Sequence, residues 1–183
     1  QKNQQPKADW LNFVVTTKAR QRIKAYIREE QAKNAKLGRE ELERMAEICA
    51  DNGVVVISDE IHADMTFKGY QHIPFATIGQ KAAMNSITMM AASKSFNIAG
   101  LMSSFTIIPN PQLRAQYNGF LAKSELNLCH IFATIATAAA LTPEGAEWLD
   151  QMIDYVAANV EFVESYLAEN MPLLKIVRPQ ASY

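Results

Sequence analysis

Lys94 stands between two hydroxyl residues, in Ser93-Lys94-Ser95-Phe96-Asn97, directly after a β-rich run at 87–90 and two alanines. No carboxylate falls within ten positions of it on either side. A lysine placed where a strand gives way to a loop, among apolar and small neighbours, is expected to be partly desolvated. Desolvation disfavours the ammonium form, draws the pKa down and makes the amine a usable nucleophile. The plainer reading of this stretch alone is a strand-end lysine whose stem covers apolar surface while its head reaches water. A second stretch shifts the balance. Residues 54–57 are Val-Val-Val-Ile, and they run out into Ser58-Asp59-Glu60-Ile61-His62. Ligands of open α/β sheets bind beyond the carboxyl ends of the strands, so Asp59 and His62 stand where a site would be.

Asp59 and His62 on one strand end, with Ser93 and Lys94 on the next, make a chemically coherent set. A pyridoxal phosphate site needs an amine to hold the aldehyde and a carboxylate to keep the pyridine nitrogen protonated. It also needs hydroxyl and backbone N–H groups for the phosphate, and a partner for the ring hydroxyl.

The elements that must position this set follow from periodicity. Residues 10–36 read as a basic amphipathic helix, with Trp10, Phe13, Val14, Ile23, Tyr26 and Ile27 at helical spacing. Its apolar stripe calls for packing on its own domain or on a second copy, ahead of a membrane or acidic partner. Gly38 is expected to break the pattern, and 39–52 to form a second helix burying Leu42, Met45, Ala46 and Cys49. Asn52-Gly53 is a left-handed stop. The run at 54–57 reads as a strand buried on both faces, as parallel sheets require. Residues 63–81 are irregular, and strands are expected at 85–90 and 102–108. Helices follow at 112–124, at 127–141 (apolar nearly all round, hence buried) and at 144–170. The last opens on Thr142-Pro143-Glu144, an N-cap with proline in the first position. Residues 175–177 begin a strand whose sheet partners are missing from the sequence, so the chain reads as truncated.

The composition sets bounds. The 183 residues suffice for one substantial domain with an arm. A net charge of −1 gives no reason to expect nucleic acid or an anionic membrane as partner. The charge is unevenly spread: residues 1–36 carry a net +6 and the remainder −7, which marks 1–36 as a separate segment. Cys49 and Cys129 lack metal-ligand spacing and read as buried free thiols of a reducing, cytoplasmic compartment.

Ser58-Asp59-Glu60-Ile61-His62, then Gly69-Tyr70-Gln71-His72-Ile73-Pro74-Phe75-Ala76, then Ala92-Ser93-Lys94-Ser95-Phe96-Asn97-Ile98-Ala99-Gly100-Leu101 resemble the fold-type I pyridoxal-phosphate enzymes. Within the class I/II aminotransferases they are most similar to the cystathionine β-lyase branch, where His62 replaces a tyrosine common in aminotransferases. The resemblance covers about 38–183. It implies an α/β fold: part of a large domain with a mostly parallel sheet and flanking helices at 37–143, then a connecting helix and the start of a small domain at 144–183. It implies pyridoxal 5'-phosphate as cofactor, an amino-acid substrate and a homodimer or larger homo-oligomer. Lys94 would be the Schiff-base lysine and the base that takes the Cα proton. Asp59 would pair with the pyridine nitrogen, His62 would lie beside the ring, and Ser93 would contact the phosphate. Asn97 is left to shape the loop, and His72 and His130 carry no role. The family's Asn-Pro-x-Gly-Arg motif does not align with Asn34-Ala35-Lys36-Leu37-Gly38-Arg39. Its ring-stacking aromatic, glycine-rich phosphate loop and partner-subunit tyrosine fall before the matched region, and its substrate-carboxylate arginine falls beyond it. The implied reaction is an α,β-elimination on a cysteine conjugate. An aminotransferase, or a non-catalytic remnant acting through its basic helix, are the alternatives.

Overall fold

The computed structural model describes residues 6, 10–128 and 130–182. Most of the frayed terminus expected at 1–8, together with Cys129 and Tyr183, lies outside them.

A short helix α1 (Trp10–Phe13) precedes α2 (Thr17–Asp51), whose N-cap Thr16 accepts a hydrogen bond from the amide of Ala19. α2 is one uninterrupted helix of 35 residues, so Gly38 does not break it and the 36/37 boundary falls inside it. An interior glycine costs a helix only about 1 kcal/mol relative to alanine, and neither flank carries a proline or a cap. The i,i+4 ion pair Lys36–Glu40, at 3.8 Å, bridges the position, and Arg39–Glu43, at 2.9 Å, follows directly after it. The stop at Asn52-Gly53 is as expected. Gly53 takes φ 66°, its N–H donates to Ala50, and the Val54 N–H reaches back to Cys49 at 2.8 Å, a Schellman closure.

Strand β1 (Val56–Asp59) pairs in parallel with β2 (Ser86–Met90), which pairs antiparallel with β3 (Phe105–Ile107), in the order β1-β2-β3. The fold is α/β around a small mixed sheet. β1 starts two residues later than its apolar run and is buried on one face only. Val56 packs against a cluster of Ala46, Phe75, Ile78 and Ala82, whereas Ile57, on the opposite face, is 63% exposed. Alternation in a strand sends neighbours to opposite faces, and at this sheet edge only one of them is covered.

Between β1 and β2 lie a 3₁₀ turn (Phe75–Thr77) and the short helix α3 (Gln80–Met84). Arg39 of α2 donates to the Ile78 carbonyl, and Lys81 pairs with Asp51 at 2.9 Å, so α2 is pinned across this segment. A one-turn helix, α4 (Ala92–Ser95), follows β2 and carries Ser93 and Lys94. Helix α5 (Pro111–Lys123) opens on Asn110, whose side chain accepts from the amides of Gln112 and Leu113.

α6 (Ile131–Ala140) begins later than its pattern suggests, and it is not buried: Ala133 is enclosed, but Ile131, Phe132 and Ile135 are exposed. α7 (Pro143–Asn170) keeps its Thr142 cap, with the Thr142 hydroxyl accepting from the amide of Gly145. A Cβ at Gly145 would run into the Ala140 backbone carbonyl, so the joint between α6 and α7 requires glycine.

Residues 175–177 form no strand. Arg178 is drawn instead to Glu161 and Glu164 of α7, at 3.2 and 2.9 Å. Pairing occurs further on, where Ala181 bridges Thr66 and the amide of Phe67 donates to Gln180.

Candidate active site

The parallel pairing of β1 with β2 sets Asp59 opposite Met89, one residue before the end of β2. Both strands thus finish on one rim. Asp59 closes β1 with an exposed side chain, and its Oδ1 accepts from the amide of Ile61 at 3.3 Å. The backbone continues into a turn closed by two bonds, from the amide of Ala63 to the Glu60 carbonyl and from that of Met65 to the His62 carbonyl. His62 is exposed on that turn. On the neighbouring strand the chain leaves β2 and enters α4, where Ser93 is half-buried and Lys94 is exposed. The desolvation expected of Lys94 is therefore not supplied by the described residues: α4 is only one turn long and turns the lysine outward. Topology brings Asp59, His62, Ser93 and Lys94 to adjacent strand ends. Asn97 takes φ 53°, a left-handed conformation that asparagine tolerates, and bends the loop after α4. Phe96 stacks on Trp148 of α7, with ring centroids 5.7 Å apart, and ties this loop to the long helix.

Sequence reasoning passed over the residues that support the rim. Glu60 is 5% exposed. Its Oε1 accepts from Ser58 Oγ at 2.9 Å and from the amide of Phe75 at 3.0 Å, and its Oε2 lies 2.9 Å from His72 Nε2. Burial alone would push the carboxyl up. The hydrogen bonds from His72, Phe75 and Ser58, with the charge of His72 when protonated, outweigh it and hold the group below its ordinary value. His72, given no role above, is thus the half-buried partner of a buried carboxylate. Ser95 is fully buried and donates to Asp64 Oδ2 at 3.2 Å. A signal for Glu60 was available: Val56, Ser58 and Glu60 alternate along one strand, on the packed face.

A cleft of about 380 Å³ opens elsewhere, among Phe67, Tyr70, Ile153 and Ala157. Its rim charges are already matched, Lys68 with Asp154 at 2.6 Å and Arg178 with Glu161. Among the described residues no helix is long and apolar enough to cross a membrane.

Residues 35–183 match the family model described as aminotransferase class I and II, and the chain belongs to that family. It is 41% identical over 145 residues to the cystathionine beta-lyase PatB of Bacillus subtilis, covering 79% of this chain and 37% of PatB. Among solved structures, the C-S lyase from Staphylococcus hominis, solved with PLP bound, matches with a TM-score of 0.68 at 35% identity, over 79% of this chain and 36% of that one. Cystalysin from Treponema denticola, which contains a pyridoxal 5'-phosphate cofactor, matches with a TM-score of 0.66 at 31% identity, over 78% and 36%. The chain spans a little over a third of the length of these relatives.

Proposed function

We propose that this chain supplies the lysine-bearing part of a pyridoxal 5'-phosphate site, in a protein that acts as a carbon–sulfur β-lyase. The observation that carries this reading is the shared rim: Asp59 and His62 leave β1 where Ser93 and Lys94 leave the end of its parallel neighbour β2. The donor set suits the cofactor, with an exposed amine, an exposed carboxylate, an exposed imidazole and a half-buried hydroxyl. Bound there, the cofactor supplies an electron sink for charge developing at the substrate Cα. Lys94 Nζ is the amine that would hold the cofactor through its aldehyde, and it would serve as the base for the substrate Cα proton. The Asp59 carboxylate would pair with the pyridine nitrogen, His62 would serve the ring and its hydroxyl, and Ser93 Oγ would donate to the phosphate.

The substrate class in this reading is a cysteine conjugate such as cystathionine, cleaved with water to pyruvate, ammonia and a thiol. Similarity to relatives described as cystathionine beta-lyases supports elimination. Similarity to aspartate aminotransferases, at 25% and 24% identity, keeps amino transfer as the second reading. We read residues 37–143 as part of a large domain whose sheet is mostly parallel, 144–183 as the connecting helix and start of a small domain, and 1–36 as an arm. A homo-oligomer in the cytoplasm fits the family and the free thiol of Cys49. The test is product analysis with cystathionine. Pyruvate release that is lost in Lys94→Ala supports the lyase. Amino transfer to a keto acid without pyruvate supports the second reading, and neither product, from protein shown to have taken up the cofactor, overturns both.

A further inference from the structure

The turn that carries His62 is fastened at both ends by polar bonds, each with one buried partner, Glu60 at its start and Ser95 at its end. At its start the Glu60 carboxylate is held by Ser58 Oγ, the amide of Phe75 and His72 Nε2, and the amide of Glu60 extends the sheet ladder to the Met89 carbonyl at 2.9 Å. At its end Asp64 accepts from Ser95 Oγ. The two fastenings lead to different parts of the molecule. Glu60 ties the turn to the segment entering the 3₁₀ turn at Phe75, whereas Ser95 ties it to α4, the helix that carries Lys94. Ser95 is also the residue next to Lys94, so a shift of the turn is transmitted to the lysine through a single peptide unit. Buried polar groups that are fully paired rigidify their surroundings, and a half-paired one is costly.

We infer that Glu60 and Ser95 are positioning residues: they fix the two ends of the turn bearing His62 and so hold Asp59 and His62 in register with Lys94. The inference rests on the reading of that rim as a cofactor site, and neither residue is assigned contact with cofactor or substrate. The arrangement explains why two side chains capable of chemistry are enclosed while their sequence neighbours Asp59 and Lys94 are open.

The test separates anchoring from cofactor binding. Amide exchange is followed by mass spectrometry on the unliganded protein, in wild type, Ser95→Ala, Asp64→Ala and the double variant. Asp64 is exposed, so its variant removes the bond without opening a cavity, and Ser95→Ala controls for the buried hydroxyl that Asp64→Ala leaves unpaired. Peptides covering 60–66 are expected to exchange about five- to tenfold faster in each single variant, the effect of about one lost hydrogen bond. The double variant is to add nothing further, and peptides of α2 are to stay unchanged. Unchanged exchange at 60–66 in Asp64→Ala overturns the inference. The second readout is the visible absorbance of added pyridoxal phosphate: the variants are to bind it about tenfold more weakly, with an altered pH midpoint of the band. Wild-type affinity and midpoint in the variants overturn the positioning role. If wild type itself takes up no cofactor, the site reading falls, and with it the positioning of a site; the exchange data then decide whether the anchors hold the turn.

Discussion

The sheet side of the molecule and its C-terminal helices solve the same problem unequally. Around β1 and β2, Phe75, Ile78, Ala82 and Ala46 are enclosed, and the buried carboxylate Glu60 has a donor on each oxygen. Along α6 and α7, Ala133 and Ile153 are enclosed, while Ile131, Phe132, Ile135, Tyr155 and Phe162 stay exposed. The polar rim is thus carried by a local core, and the helical half presents apolar surface of the kind that oligomers and adjoining domains cover. Stability should therefore be concentrated around the rim proposed as the cofactor site.

Paired truncations put that contrast at risk. Phe75→Ala is expected to cost about 3–5 kcal/mol, the range for losing a buried aromatic. Ile135→Ala, at 61% exposure, should cost no more than about 0.5 kcal/mol. Urea unfolding of both, at equal protein concentration, is the measurement. Equal losses would mean that α6 is covered in solution, by a second copy, and the comparison would have to be redrawn.

Two glycines sharpen it next. Gly145→Ala drives a methyl group against the Ala140 carbonyl and should cost about 1–3 kcal/mol as an overpacked contact, seen as a lowered unfolding midpoint. Gly38→Ala meets open space inside α2 and should stabilise by up to about 1 kcal/mol. The same substitution thus has opposite signs at a helix joint and in a helix interior.

Glu60 gives a pH-dependent effect of middling to small size. Its folded pKa lies below the ordinary 4.5, so its contribution is present above that value and is lost as pH falls through the lower, folded one. Glu60→Gln should cost about 1–3 kcal/mol near neutrality, and the gap to wild type should close as the pH drops below 4.5. A gap that persists unchanged in acid would show that shape, and not charge, makes the difference.

What the sequence made legible was local. The Asn52-Gly53 stop and the Thr142-Pro143 start are written in residues that act within one turn, and both stand in the structure. The strand end at Asp59 is legible because a β-branched run stops where hydroxyl and charged residues begin, and the end of β2, four residues before Lys94, because its apolar-rich run gives way to small residues. What failed was inference about surroundings. An apolar run shows what a face is able to bury, and it does not show what covers it; hence Ile57 and most of α6 were read as enclosed. Gly38 was overweighted as a breaker because its cost is small beside a helix of α2's length. Residues 175–177 have strand propensity but find no edge, since Arg178 follows Glu161 and Glu164 onto α7. Glu60 and Ser95 are not legible as anchors because their partners, Phe75, His72 and Asp64, lie 12 to 31 residues away and meet them only in the fold.

The central claim is that Lys94 is the residue that takes the cofactor. The direct measurement is to add pyridoxal phosphate, record the visible band, reduce with borohydride and map the modified lysine by mass spectrometry, with Lys94→Ala alongside. A single stoichiometric adduct on Lys94, absent from the variant, is the predicted result. Labelling scattered over surface lysines, or unchanged in Lys94→Ala, would contradict it.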